Sequence, residues 1–150
     1  MSVPREVSIL IAEDDAGHAR LIEKNLTRGG LSNRITRFDN GQAILDFLFR
    51  RGAGPPHREE GPYLILLDIR MPQVDGIEVL RRIKTDPELR KIPVIMLTTT
   101  DDPREVERCH DIGCSSYIVK PVDYDKFAEA IKSLGLYISL MQVPEIAATK

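Results

Sequence analysis

Residues 64–76 read LILLDIRMPQVDG, and how this stretch is understood decides the fold. Leu64 to Leu67 stand together without alternation and end on an acid, Asp68, with the turn formers Pro72, Asp75 and Gly76 close behind. A short run that is apolar on both faces suits a parallel strand covered by helices on each side. Working outward, Val7 to Ala12 (VSILIA), Val94 to Leu97 (VIML) and Tyr117 to Val119 (YIV) resemble it, whereas Asn33 to Phe38 (NRITRF) alternates as a strand nearer an edge would. Between these runs apolar residues return at helical spacing, as in Ile77, Val79, Leu80 and Ile83, or Phe127, Ala130, Ile131 and Leu134. Asp15, Asn40, Asp75, Asp102 and Asp123 stand where N-caps are wanted, and Gly29-Gly30, Gly113 and Gly135 where helices should stop. The pattern is strand then helix, repeated. It predicts an α/β fold, a doubly wound and mostly parallel sheet with helices on both faces.

The chain has 150 residues, 42% hydrophobic and 29% charged, enough for one globular domain. Its 21 basic and 23 acidic side chains leave a net charge of −2, which provides no global field for nucleic acid or an anionic membrane. No apolar run approaches the roughly 18 residues that span a bilayer, and Pro4, Arg5 and Glu6 interrupt the place of a signal sequence. A cytoplasmic protein without membrane or direct DNA contact is expected. Cys109 and Cys114 lack the partners of a zinc site and read as buried thiols. The stretch Arg50 to Pro62 (RRGAGPPHREEGP) reads as a long solvated loop.

In such a sheet the residues just after each strand share one edge, and ligands bind there. Glu13, Asp14 and Asp15 follow the first strand, Asp68 the third, Thr98 to Thr100 the fourth, and Lys120-Pro121 the fifth. Asp15 by itself suits a helix cap. Glu13, Asp14 and Asp68 fall on strands expected to be neighbours, where like charges destabilise the fold unless a cation compensates. Oxygen-only ligands favour Mg²⁺ or Mn²⁺ over zinc, and none of His18, His57 and His110 stands at a strand end. A divalent cation, a lysine and a threonine hydroxyl around a carboxylate are the equipment of phosphoryl transfer, with Asp68 as nucleophile.

These residues resemble the receiver domains of two-component response regulators. The likeness spans about residues 5–137 and rests on ILIAEDD, LILLDIRMPQVDG, PVIMLTTT and YIVKPV, in the family's order and at its separations. It implies a flavodoxin-like receiver fold with five strands in the order 2-1-3-4-5. It also implies that Asp68 is the phosphoacceptor and that Glu13, Asp14, Asp68 and the backbone carbonyl of Arg70 hold Mg²⁺ (or Mn²⁺). Lys120 would pair with the phosphoryl group, Thr98 would bond one of its oxygens, and Tyr117 would be the switch aromatic. The side chains of Arg70 and Thr100 flank the path of the attacking water, and we expect them to tune the lifetime of the phosphate.

A receiver over 1–137 leaves an apolar extension, 138–150, too short for a helix-turn-helix output module. The run Leu136 to Val143 (LYISLMQV) would either fold back on the chain's own helices or extend the fifth helix into a partner or a second subunit. The long loop, the phrase TDPELRKIPVIMLTTT and the apolar tail resemble the single-domain regulators paired with phytochrome-type histidine kinases. That resemblance implies a sensor histidine kinase partner of the bacteriophytochrome type and a homodimer through the fourth-helix to fifth-helix surface and the C-terminal extension. A phosphorelay intermediate or a phosphate sink for another kinase is the alternative within the family. An aspartate-nucleophile phosphatase would want an acid two residues after Asp68, where Arg70 stands, and a flavin carrier would not place Glu13-Asp14-Asp15 at its phosphate loop. The expected role is therefore a phosphoacceptor signalling protein rather than an enzyme acting on other substrates.

Overall fold

The computed structural model describes residues 6–50 and 58–147. Most of the expected Arg50 to Pro62 loop, including His57, lies outside the described residues, as does the N-terminal Pro4-Arg5. The elements run β1 (Ser8–Ala12), α1 (Ala16–Arg28), β2 (Ile35–Phe38), α2 (Gly41–Leu48), β3 (Gly61–Leu67), α3 (Gly76–Thr85), β4 (Val94–Thr98), α4 (Pro103–Ile112), β5 (Ser116–Val119), α5 (Tyr124–Leu140) and β6 (Glu145–Ile146). A 3₁₀ turn at Leu89–Lys91 leads into β4. The five main strands are parallel in the order β2-β1-β3-β4-β5, as expected.

The seven residues of β3 are all buried, so the run that opens the sequence argument is the central strand. Its side chains alternate between two cores. Ile65 and Leu67 meet the inner faces of α2 and α3, through Ile44, Leu48, Val79, Leu80 and Ile83. Leu64 and Leu66 meet those of α1 and α5, through Ile22, Leu26, Phe127 and Ile131. Each such side chain taken from water contributes about 1.5–3 kcal/mol before the cost of ordering it. The YIV run departs from the expectation of a covered strand. β5 is the edge strand, Tyr117 and Ile118 are half-buried, and Val119 is 41% exposed.

The five expected N-caps are all made: each side-chain oxygen of Asp15, Asn40, Asp75, Asp102 and Asp123 accepts from a backbone N–H in the first turn of its helix. Gly29 and Gly113 end α1 and α4, and Gly113 has φ 129°, a conformation that L side chains rarely adopt. Gly135 does not end α5, which runs on to Leu140. Its role is clearance: a Cβ there would lie 2.7 Å from the carbonyl oxygen of Leu26, so the glycine lets α1 and α5 approach backbone to backbone.

The tail extends α5 to Leu140, and Met141 packs against the core shared by α1 and α5. After α5 it returns beneath the sheet, where Glu145 and Ile146 pair antiparallel with Pro62 and Gly61 of β3 and Ile146 is buried. Arg58, read from sequence as part of a solvated loop, is 5% exposed. Its guanidinium donates to the carbonyls of Leu48 and Ala147, and Glu88 accepts from the Ala147 N–H, which closes a clasp over the returning strand. This clasp lies at the amino end of β3, opposite the candidate site.

Candidate functional site

The parallel register carries β1, β3, β4 and β5 to one edge, and the residues just beyond it face one another. Ala12 lies beside Leu67, and Asp68 donates its N–H to the Ala12 carbonyl, so the loop after β3 begins against the loop after β1. Gly76 keeps that loop compact: a Cβ there would sit 2.0 Å from the Asp68 carbonyl oxygen. Across β4, the Lys120 N–H donates to the Thr98 carbonyl at 2.7 Å. Residues from four separate loops are thereby fixed by backbone bonds.

Glu13, Asp68, Thr98 and Lys120 are buried at 2%, 8%, 0% and 5% exposure, while Asp14 stands open to solvent. One ligand oxygen from each of Glu13, Asp14 and Asp68 falls within 4.8 Å of the others. Lys120 lies between the two buried acids, its Nζ 2.5 Å from Glu13 Oε1 and 3.2 Å from Asp68 Oδ2. Burial pushes the Glu13 carboxyl up to about 7 and the nearby Asp68 carboxylate adds to the rise, while the bond from Lys120 opposes it. Three carboxylates against one ammonium leave an excess of negative charge in a partly dry edge, which suits a hard divalent cation with oxygen ligands. An open cleft of about 570 Å³ adjoins the cluster, lined by Asp14, Arg70, Met71 and Glu78 among others.

The loops after β3 and β4 are linked over this cleft. Arg70 Nε donates to Thr100 Oγ1 at 3.3 Å, and the Arg70 N–H reaches toward Asp68 Oδ1 at 3.4 Å. The Tyr117 hydroxyl donates to the Thr100 carbonyl at 2.7 Å. Burial pushes the Tyr117 phenol up to about 12, so it remains a donor throughout the neutral range. Every sequence-derived candidate therefore lies at this edge, in contact with at least one other member of the set.

Two residues here were not anticipated. Arg37 of β2 donates from Nε and an η nitrogen to the Glu13 carbonyl at 3.0 and 2.9 Å, and also to the Asp14 carbonyl at 3.1 Å, clamping the backbone of the acidic pair. His18, one turn into α1, places Nδ1 3.1 Å from Lys120 Nζ. Neither stands at a strand end in the sense used for the sequence. Arg37 points outward from an alternating strand, and His18 was legible only as a first-turn residue of the helix that starts at the acidic edge.

The profile of the response regulator receiver domain matches residues 9–132. The chain belongs to this family. Among curated relatives of the receiver, the polar-differentiation response regulator DivK of Brucella anthropi is 38% identical over 126 residues, covering 84% of this chain and 94% of its own. A receiver domain from Rhodospirillum rubrum superposes with TM-score 0.85 at 48% identity, covering 94% of this chain and 99% of its own. The manganese-bound response regulator Rcp1 gives TM-score 0.83, and the phosphorylated cyanobacterial phytochrome response regulator RcpA gives 0.81. Each is 27% identical, and each match covers 93% of this chain and 99% of the other. The receiver fold expected from sequence is thus matched over nearly the whole chain, and its structural neighbours include phytochrome response regulators. No helix among the described residues is long and apolar enough to cross a membrane.

Proposed function

We propose that this receiver accepts a phosphoryl group from a sensor histidine kinase on Asp68, in a reaction that requires Mg²⁺ (or Mn²⁺). The observation that carries the reading is Lys120 bridging Glu13 and Asp68 within a group that also holds Asp14 and Thr98. An Asp68 oxygen attacks phosphorus, the bond from phosphorus to the donor histidine nitrogen breaks, and the imidazole leaves. The cation, held by Glu13, Asp14, Asp68 and the carbonyl of Arg70, would neutralise charge on the transferring oxygens. Lys120 keeps an ammonium at the Asp68 carboxylate, where that charge develops. Thr98, wholly buried at the end of β4, is the hydroxyl drawn to the phosphoryl group. Arg70 and Thr100, bonded to each other beside Asp68, are the side chains that water must pass to hydrolyse the acyl phosphate.

Output in this reading is a protein contact. The Tyr117 to Thr100 bond joins the loop that Thr98 anchors to β5, so a shift at Thr98 reaches the α4–β5–α5 face. That face continues into exposed Leu136, Tyr137 and Leu140 on α5, an apolar surface fit for a second copy of the chain. The likeness to a phytochrome response regulator supports a bacteriophytochrome as the upstream kinase. The test is phosphotransfer profiling against the histidine kinases of the source organism, with and without chelator. Label is expected on the wild type in Mg²⁺, and its persistence on Asp68→Asn would overturn the phosphoacceptor assignment.

A further inference from the structure

We infer that His18 is a positioning residue for Lys120 during phosphoryl transfer, a role that rests on the phosphoacceptor reading above. The Lys120 ammonium has three N–H donors and no acceptor. In the structure its partners are Glu13 Oε1 at 2.5 Å, Asp68 Oδ2 at 3.2 Å and His18 Nδ1 at 3.1 Å. An ammonium can only donate, so we take His18 Nδ1 as the acceptor in this contact.

The ring is itself held in place. The N-cap Asp15 accepts from the His18 backbone N–H at 3.0 Å, fixing the first turn of α1 above the acidic edge. The imidazole stands edge-on to Phe127 of α5, centroids 6.0 Å apart at 88°. Phe127 is buried in the core between α1 and the sheet. The acceptor aimed at Lys120 is therefore supported from two helices rather than carried on a free side chain.

What sets His18 apart is what happens to the other two partners. Both Glu13 and Asp68 belong to the proposed cation ligand set, and Asp68 also receives the phosphoryl group. Each must then divide its oxygens between Lys120 and another positive or electrophilic centre. Among the described residues, His18 is the one side-chain partner of Lys120 that neither the cation nor the phosphoryl group engages. It can hold the ammonium over Asp68 at the moment when Glu13 and Asp68 hold it least.

Phosphoramidate isolates this step from kinase docking: an Asp68 oxygen bonds phosphorus, the P–N bond breaks, and the nitrogen takes up a proton and leaves as ammonia. The experiment measures phosphorylation of the full chain by phosphoramidate in Mg²⁺, as maximal rate and half-saturating donor concentration, with Mg²⁺ affinity by calorimetry. His18→Leu keeps the contact with Phe127 and removes the acceptor. Its maximal rate should fall about tenfold, the effect of one hydrogen bond to a charged group, with half-saturation and Mg²⁺ affinity unchanged. His18→Asn puts Oδ1 where Nδ1 stands relative to the backbone and should return the rate to within about twofold of wild type. A wild-type rate in His18→Leu, or a rate in His18→Asn as low as in His18→Leu, would overturn the inference. Absence of phosphate on Asp68 of the wild-type protein would instead defeat the phosphoacceptor reading beneath it.

Discussion

Replacing Asp68 by Asn should stabilise the metal-free protein and destabilise it relative to wild type once Mg²⁺ is bound, and this change of sign is the sharpest test of the site. Asp68 lies 3.2 Å from Lys120 Nζ, an attraction of about 5 kcal/mol at an effective dielectric constant of ~20. Its oxygen also lies within 4.8 Å of a Glu13 oxygen, a repulsion of at least about 3.5 kcal/mol at the same dielectric constant. Asp14 is exposed, and water reduces its repulsion to about 1 kcal/mol. Attraction and repulsion nearly cancel. What remains is the cost of drying a carboxylate that is 8% exposed, of the order of several kcal/mol for an ion. The amide avoids that cost, and its oxygen can still accept from Lys120. A net gain of about 2 kcal/mol is expected, or a rise in Tm of roughly 4–8 °C for a chain of this size. The assay is differential scanning calorimetry in chelator and in saturating MgCl₂ at about pH 8, where Glu13 is ionised. Mg²⁺ should raise the wild-type Tm more than that of the variant, because the variant has lost a ligand. Melting of Asp68→Asn below wild type in chelator, or equal Mg²⁺-induced shifts, would refute the charge balance argued here.

The Glu13 carboxyl titrates higher in the folded chain than the ordinary 4.5, at about 7, so the folded state binds its proton more tightly than the unfolded state does. Its contribution, roughly 3 kcal/mol from that difference, is full below pH 4.5 and lost as pH rises through about 7; Glu13→Gln should flatten this slope in chelator melts. Mg²⁺ affinity should correspondingly rise with pH across the same window, measured by calorimetry, and a flat profile would contradict the assignment of Glu13 as ligand. Arg37→Ala frees the carbonyls of Glu13 and Asp14 and should weaken Mg²⁺ binding about fivefold, the loss of one net hydrogen-bonded contact, with the fold intact by circular dichroism. Arg70→Ala and Thr100→Ala should each change the dephosphorylation rate of the Asp68 phosphate, and unchanged rates in both would remove their role in guarding it. Leu140→Glu places a charge on the exposed end of α5 and should dissociate the proposed dimer in sedimentation experiments, whereas a wild-type monomer at high concentration would exclude that interface.

Much of the molecule could be read from local rules because the rules act locally. N-caps are legible since Asp, Asn and the first turn they cap are neighbours in the chain, and all five expected caps form. Gly135 shows the limit: the same residue that ends a helix when φ is positive can sit mid-helix when another backbone approaches, and only the partner helix reveals which. Tyr117 to Val119 shows another, because an apolar run does not state whether a further layer covers it, and β5 is an edge. Arg58 looks solvated within a loop of Gly, Pro and charge, yet carbonyls from α2 and the tail surround it.

The order of short apolar runs and the acids, hydroxyl and lysine that follow them were enough to determine a doubly wound parallel sheet and to bring Glu13, Asp14, Asp68, Thr98 and Lys120 to one edge of it. Strand direction alone brings the ends of β1, β3, β4 and β5 together, so identity at those ends carries over to the site. The tertiary structure decided which charges meet. Lys120 is bonded to Glu13, Asp68 and His18 across separations of 107, 52 and 102 residues, and Arg37 clamps the acidic loop from a neighbouring strand. Those contacts depend on side-chain reach and on helix placement against the sheet, which packing of distant segments sets and no local pattern encodes. The same holds for the returning tail, whose pairing with β3 requires a groove that exists only after the sheet has formed.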